Sequence, residues 1–283
     1  MKTRIFLDSG DPEETREALK LLGFLDGQTT NPTLISKNPA IRARLERGEK
    51  LNPKEILDFY YQVVKKISKL ITQGSVSVEV YADLETSAEE MFRQAKEMFL
   101  WIPNAHIKLP ITKEGLMAAE QAVKEEIRIN LTLCFNQEQA AAVYAATRGA
   151  KKGDVFISPF VGRLDDVGEN GMDLIANILK MYQNGDYHVE VLTASVRNIN
   201  HFLYALQLGS DIITAPFKVL KEWAELGCPI PGNDYAYSSG SLKSIPYQNF
   251  DLNKNWQDFN LSHPLTLKGI KLFSDDWNSL IKK

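Results

Sequence analysis

The chain has 283 residues, 44% of them hydrophobic, and its 33 basic and 36 acidic side chains leave a net charge of −3. That length buries one large core or two modest ones. The balanced charge, with no basic excess and no long like-charge run, excludes nucleic acid as the expected partner. Two cysteines, Cys134 and Cys228, are too few for a disulfide framework. No apolar run approaches the roughly 18 residues that span a bilayer, so no membrane role is expected. Asp8 interrupts the N-terminus before a signal-peptide core forms, and a cytoplasmic location is the expectation.

In chain order, short β-rich runs fall at 5–8, 26–29, 75–81, 106–111, 128–135, 155–160, 188–195 and 211–216. Between them lie amphipathic stretches at 12–22, 53–72, 87–101, 113–125, 137–147, 171–182 and 198–208. Ile56, Tyr60, Val63, Val64, Ile67 and Ile71 keep the spacing of one helical face. Alternating βα units imply parallel strands joined by right-handed crossovers. Eight of them in about 220 residues fit a (β/α)8 TIM barrel, an α/β fold, better than an open doubly wound sheet. No Gly-x-Gly-x-x-Gly or P-loop follows a strand, which weakens a nucleotide-binding alternative.

Two stretches leave the alternation. Residues 40–51, rich in Arg and Glu, read as a charged loop or a short solvated helix. Residues 227–262 shift to Pro, Gly, Ser, Asn and Tyr and read as an irregular excursion. A helical pattern then returns through 264–281. The expected organisation is a barrel over 1–226, an insertion over 227–262, and a C-terminal helix within 263–283 that packs on the barrel or on a neighbouring subunit. Tyr235, Tyr237, Tyr247 and Trp256 of the insertion are candidates for contact with such a neighbour.

The chemistry gathers on the strands. In Ala105-His106-Ile107-Lys108-Leu109-Pro110-Ile111 a lysine sits at the centre of an apolar strand. An ammonium buried without a partner loses its hydration and sheds its proton more readily, which is what Schiff-base chemistry with a ketone requires. The alternative is a lysine that snorkels from an edge strand or pairs with an acid. Side chains alternate along strands, and Asp8, Glu79, Lys108, Asn130, Thr132, Ser158, Thr193 and Ser195 each fall opposite in phase to apolar neighbours. A purely structural barrel fills its interior with branched apolar layers. Six strands with an in-phase polar residue instead point to one shared site at the C-terminal end.

Each member also has a plain reading. Asp8 also reads as a cap of the first helix, Glu79 as no more than a partner of Lys108, and Asn130 and Thr132 as groups that satisfy nearby backbone. Arg163 and Arg197 lie just past the sixth and seventh strands, either as surface cations or as a phosphate grip at the barrel mouth. The four histidines, His106, His188, His201 and His263, have no spacing suited to a metal site.

Several segments together resemble the transaldolase family. They are Phe6-Leu7-Asp8-Ser9, Thr29-Thr30-Asn31-Pro32-Thr33-Leu34-Ile35, Ser77-Val78-Glu79-Val80, Ile107-Lys108-Leu109-Pro110, Asn130-Leu131-Thr132-Leu133, Ile157-Ser158-Pro159-Phe160-Val161-Gly162-Arg163 and Ala194-Ser195-Val196-Arg197-Asn198. His263-Pro264-Leu265-Thr266-Leu267-Lys268-Gly269-Ile270 is similar to the C-terminus of the short members related to fructose-6-phosphate aldolase. The resemblance implies a (β/α)8 barrel that moves a dihydroxyacetone unit between sugar phosphates of the pentose phosphate route, with no metal or cofactor.

It also implies roles. Lys108 forms the imine, Asp8 moves the C4-hydroxyl proton, and Glu79 acts through a water that Thr132 also holds. Asn31, Asn130 and Ser158, with Thr29 as a lesser candidate, hold the dihydroxyacetone end. Arg163, Arg197 and Ser195 bind the phosphate. The aldolase branch has glutamine, alanine and tyrosine where this chain has Glu79, Ser158 and Phe160, so the transferase pattern is followed here. The short members form homo-oligomers, rings of five commonly paired into ten. They pass almost directly from the last barrel helix into the His-Pro-Leu-Thr segment, whereas here the 227–262 insertion intervenes.

Overall fold

A computed structural model describes residues 3–232 and 234–282; Met1, Lys2, Asn233 and Lys283, which fall within the expected segments, lie outside the described residues. Elements alternate from the start: β1 (Arg4–Asp8), α1 (Pro12–Leu22), β2 (Gly27–Thr29), α2 (Pro32–Ser36), α3 (Pro39–Glu46), α4 (Pro53–Leu70), β3 (Ser75–Glu79) and α5 (Ala88–Phe99). Next come β4 (Ala105–Pro110), α6 (Lys113–Lys124), β5 (Ile129–Cys134), α7 (Gln137–Ala146), β6 (Val155–Pro159), α8 (Val161–Asp165) and α9 (Gly171–Tyr182). The series ends with β7 (Val189–Thr193), α10 (Ile199–Leu208), β8 (Ile212–Ala215), α11 (Phe217–Glu225) and, after the insertion, α12 (Pro264–Asn278). The strands pair in sequence order and close on themselves, β1 meeting both β2 and β8 in parallel. The expected TIM barrel is the observed fold.

Local chemistry sets these elements. The side chains of Asp11, Asn31, Ser87, Thr112, Asn136 and Asn198 each accept an N–H from the first turn of the helix they precede. Such a cap is worth about 1 kcal/mol against alanine. Asn52 and Glu55 form a reciprocal capping box on α4, with Pro53 in its first turn. The apolar stripe of α4, Ile56, Tyr60, Val63, Val64 and Ile67, is buried. Each aliphatic member contributes about 2 kcal/mol of burial.

Strand alternation divides the interior in two. Ile5, Leu7, Val76, Val78, Ile107, Leu109, Ile129, Leu131 and Ile157 are fully buried between sheet and helices. The opposite phase points into the barrel. Register places Asp8 beside Thr29, Thr29 beside Ser77, Glu79 beside Lys108, and Lys108 beside Asn130. Below this layer Phe6 meets Phe156 edge-on at 6.2 Å, and His106 stacks on Phe156 at 4.0 Å. The aromatic plug closes the N-terminal end, and burial pushes the His106 pKa down to about 3, so its imidazole is neutral.

The structure adds two short helices that the sequence reading lacked. Residues 32–36 and 161–165 form single helical turns, α2 and α8, too short to show periodicity in sequence. The charged stretch takes the helical one of its two expected forms over residues 39–46, with Asn38 capping and Ile41 buried. The aromatic residues of the insertion pack on the chain's own barrel. Tyr237 stacks on Tyr204 of α10 at 4.4 Å, and Tyr235 donates to Asn200 at 3.3 Å. Lys180 of α9 lies 4.3 Å over Tyr247, and the Trp256 indole donates to Glu120 of α6 at 3.3 Å.

The insertion thereby runs around the outer helices and delivers α12 to the C-terminal end of the barrel. There Thr33 and Asp276 hydrogen-bond, the Thr266 hydroxyl donates to the Leu133 carbonyl at 2.9 Å, and Trp277 meets Tyr60 at 5.9 Å. Among the described residues no helix is long and apolar enough to cross a membrane.

Candidate active site

Lys108 is 3% exposed and projects from β4 into the barrel. Its Nζ lies 2.7 Å from Glu79 Oε2 and donates to the Thr30 carbonyl at 3.1 Å. The carboxylate contact is close but poorly aligned, so Glu79 Oε2 has no directed hydrogen bond, and the Thr132 hydroxyl likewise has none. Burial raises the Glu79 pKa, and the adjacent Lys108 opposes that rise. The alternative in which Lys108 snorkels to bulk water does not hold. Pairing with Glu79 does hold, and it leaves the amine inside the barrel.

Asp8 closes β1 on the other side. Thr29 donates to its Oδ1 at 2.7 Å, and Thr29 lies 2.6 Å from the Thr214 hydroxyl. Thr29 has one hydroxyl proton, so when it donates to Asp8 it must accept from Thr214. Burial raises the Asp8 pKa, while the Thr29 bond and Lys108 pull it back. Both carboxyls therefore hold a proton more readily than in water, a property suited to acid–base work.

A cavity of about 620 Å³ opens above these groups, and Asp8, Thr29, Asn31, Lys108, Ser158, Phe160, Arg163, Ser195 and Arg197 line it. The sequence candidates Glu79, Asn130 and Thr132 are buried and do not line it. Asn130 donates to Ser77 at 3.1 Å and accepts from Ser158 at 2.6 Å, so it meets the cavity through Ser158. The Asn31 side-chain oxygen caps α2 by accepting from Leu34 N–H at 2.9 Å. Its amide nitrogen is left for the cavity.

The arginines sit at one end. Arg163 of α8 is stacked between Phe160 at 5.3 Å and Phe273 of α12 at 5.2 Å, and has no ion-pair partner among the described residues. Burial lowers its pKa, as expected for a desolvated cation. Arg197 pairs with Asp166 at 3.0 Å and approaches the Ser195 hydroxyl at 3.4 Å. Ser195 adopts φ 58°, a left-handed conformation that a serine holds at a cost of about 1–3 kcal/mol. Gly162 permits this approach: a Cβ there would meet Arg197 Cγ at 2.4 Å and the Ser195 carbonyl at 2.5 Å. One glycine thus brings both arginines together.

Several site residues escaped sequence reading. Thr30 and Tyr60 brace the lysine and its partner: Thr30 donates to the Ser77 carbonyl at 2.7 Å, the two hydroxyls meet at 2.6 Å, and Glu79 N–H donates to Tyr60 at 2.8 Å. Tyr60 read as one more member of an apolar helical stripe, and its hydroxyl was the only signal. Thr214, Leu265, Phe273 and the lysines Lys37, Lys218 and Lys268 also line the cavity. Those lysines have no ion pair among the described residues, and only the closed barrel brings them to one rim. Among the described residues no three His, Cys, Asp or Glu side chains converge as a metal-ligand set.

Comparison with known proteins agrees with this geometry. The family model described as transaldolase/fructose-6-phosphate aldolase matches residues 5–283. A probable transaldolase of Bdellovibrio bacteriovorus is 36% identical over 280 residues, 99% of this chain and 100% of that protein. One of Dehalococcoides mccartyi is 36% identical over 279 residues with the same coverage. The crystal structure of 3-hexulose-6-phosphate synthase from Salmonella typhimurium superposes with a TM-score of 0.50 at 10% identity, covering 81% of this chain and all of that one, a likeness of fold alone. With a barrel lysine facing two carboxyls and a match from the first strand to the C-terminus, this chain belongs to the transaldolase/fructose-6-phosphate aldolase family.

Proposed function

We propose that the protein is a transaldolase: it moves dihydroxyacetone from a ketose phosphate to an aldose phosphate through an imine on Lys108. The observation that carries this reading is the buried Lys108–Glu79 pair at 2.7 Å beneath a cavity walled by Asp8 at one level and Arg163 and Arg197 at another. The reaction would exchange sedoheptulose 7-phosphate and glyceraldehyde 3-phosphate for erythrose 4-phosphate and fructose 6-phosphate. That assignment places the protein in the cytoplasm, in the pentose phosphate route.

The proposed steps follow from the residues. Arg163 and Arg197, with Ser195, grip the phosphate, and Asn31, Ser158 and Thr29 orient hydroxyls at the ketone end. The Lys108 amine adds to the carbonyl carbon. Glu79, through a water shared with Thr132, supplies the proton with which the carbinolamine hydroxyl leaves as water. Asp8 then takes the C4-hydroxyl proton; the C3–C4 bond breaks, and its electron pair moves into the protonated imine to give an enamine. The aldehyde product leaves, an acceptor aldehyde enters, and the same steps run backward.

Phe160 lines the cavity and has no hydroxyl to donate, which supports an intermediate that waits for its acceptor and does not release free dihydroxyacetone. An aldolase is the second reading, and a sugar-phosphate-binding barrel without turnover is the third. Borohydride added with fructose 6-phosphate is expected to fix a three-carbon adduct on Lys108, read by peptide mass. An adduct elsewhere, or none, overturns the mechanism. Consumption of fructose 6-phosphate is expected to depend on added erythrose 4-phosphate; dependence fails for an aldolase, and both assays are silent for a binding protein. The proposal extends to a homo-oligomer, a pentamer or decamer, which light scattering checks.

A further inference from the structure

α12 touches the barrel at two points that carry site residues. The first is a bulge in β5. The β5–β6 register shifts between Leu131 and Cys134, and Leu133 takes φ 64°, an uncommon conformation for a branched apolar residue. The Leu133 carbonyl accepts from the Thr266 hydroxyl at 2.9 Å, and Thr266 accepts in turn from Gln139 at 2.9 Å. Both side chains are buried, so this bond sets the height of α12 on the barrel end.

The second point is Arg163. At the height fixed by Thr266, the next turn of α12 presents Gly269. A Cβ at that position would stand 2.6 Å from Leu133 Cδ2 and 2.8 Å from Arg163 Nη1, inside any normal contact distance. One turn further, the Phe273 ring lies 5.2 Å from the guanidinium, opposite Phe160. Arg163 is therefore held by aromatic faces and a glycine gap, with no carboxylate partner among the described residues, and its donors stay available to the cavity. Arg197, by contrast, is exposed and engaged with Asp166.

We infer that α12 positions the phosphate-binding arginine of its own chain: Gly269 and Phe273 fix the Arg163 guanidinium, and Thr266 sets the helix height at which they do so. This rests on the phosphate role proposed above for Arg163. Gly269 and Phe273 are positioning residues, acting on the ligand through Arg163.

Inorganic phosphate is the probe, and its affinity for the full-length chain is read by titration calorimetry, with thermal midpoints confirming that each variant folds. Arg163→Gln is expected to weaken phosphate about tenfold or more, and Phe273→Leu and Gly269→Ala by about tenfold each. In the Arg163→Gln background neither α12 change is expected to add more than about twofold, because coupled residues are not additive. Phe273→Tyr keeps the ring face and is expected to stay within about twofold of the parent. Parent-like affinity in both Phe273→Leu and Gly269→Ala overturns the inference, as do α12 effects that persist undiminished without Arg163. Parent-like affinity in Arg163→Gln overturns it together with the phosphate role. Borohydride trapping of phosphate-free dihydroxyacetone on Lys108 reports the imine chemistry separately.

Discussion

Replacing Lys108 by Met keeps the length of the side chain and removes its charge. Glu79, 5% exposed, then loses the ammonium 2.7 Å away. Removing one member of a buried ion pair costs about 3–5 kcal/mol, because the remaining charge stays desolvated. At about 2 °C per kcal/mol for a chain of this size, the thermal midpoint at pH 8 is expected to fall by about 6–10 °C. The sign with pH follows from Glu79, whose folded pKa is already raised by burial above the ordinary 4.5 and rises further without Lys108. Folded protein then binds the proton more tightly than unfolded protein, so stability is present at low pH and lost as pH rises through the folded value.

The deficit is therefore expected to shrink toward pH 5 by up to about 1.4 kcal/mol per unit. Glu79→Gln combined with Lys108→Met removes both charges and is expected to return the midpoint to within a few degrees of the parent. The assay is calorimetry of the parent, both single variants and the double variant at pH 5 and pH 8. A coupling energy below about 1 kcal/mol, or a Lys108→Met deficit that does not change with pH, would refute a buried, interacting pair.

Two further outcomes are expected. Asp8 has a folded pKa raised by burial above the ordinary 3.8, so its ionised form opposes folding above that value. Asp8→Asn keeps an acceptor for Thr29, and its thermal midpoint is expected to exceed the parent's at pH 7, with no gain below about pH 4. Its turnover is expected to fall about 10²- to 10⁴-fold; a midpoint equal to the parent's at pH 7 counts against the assignment. The second outcome concerns Lys37, Lys218 and Lys268, cations on the cavity rim beside the two arginines. Raising ionic strength from about 0.02 to 0.5 M is expected to raise KM for sugar phosphates about threefold or more with kcat little changed, and replacing the three lysines by Gln is expected to flatten that slope. A KM insensitive to salt removes the rim from substrate capture.

Much of the site was legible in the sequence because strands report their two faces directly. Asp8, Glu79, Lys108, Asn130 and Ser158 each break an apolar alternation, and a closed parallel barrel turns that phase into a common interior. The caps that open the helices, Asp11, Asn136 and Asn198 among them, are local signals of the same kind. What sequence did not separate was wall from support. Asn130 and Thr132 read like Ser158, but only Ser158 faces the cavity, because the barrel closes over the other two.

By itself the sequence determined the βα alternation and the phase of each polar residue, with Lys108 at the centre of an apolar strand, since periodicity and side-chain direction depend only on neighbours within a few residues. That Lys108 is buried was decided by the closed barrel. Tertiary structure alone decided that Tyr60 braces Glu79, that three distant lysines share one rim, and that α12 lies against Arg163 of its own chain. Those groupings join residues from 19 positions apart (Tyr60 and Glu79) to 231 positions apart (Lys37 and Lys268). Their geometry depends on barrel closure and on the path of residues 227–262 around the outer helices, neither of which leaves a local pattern to read.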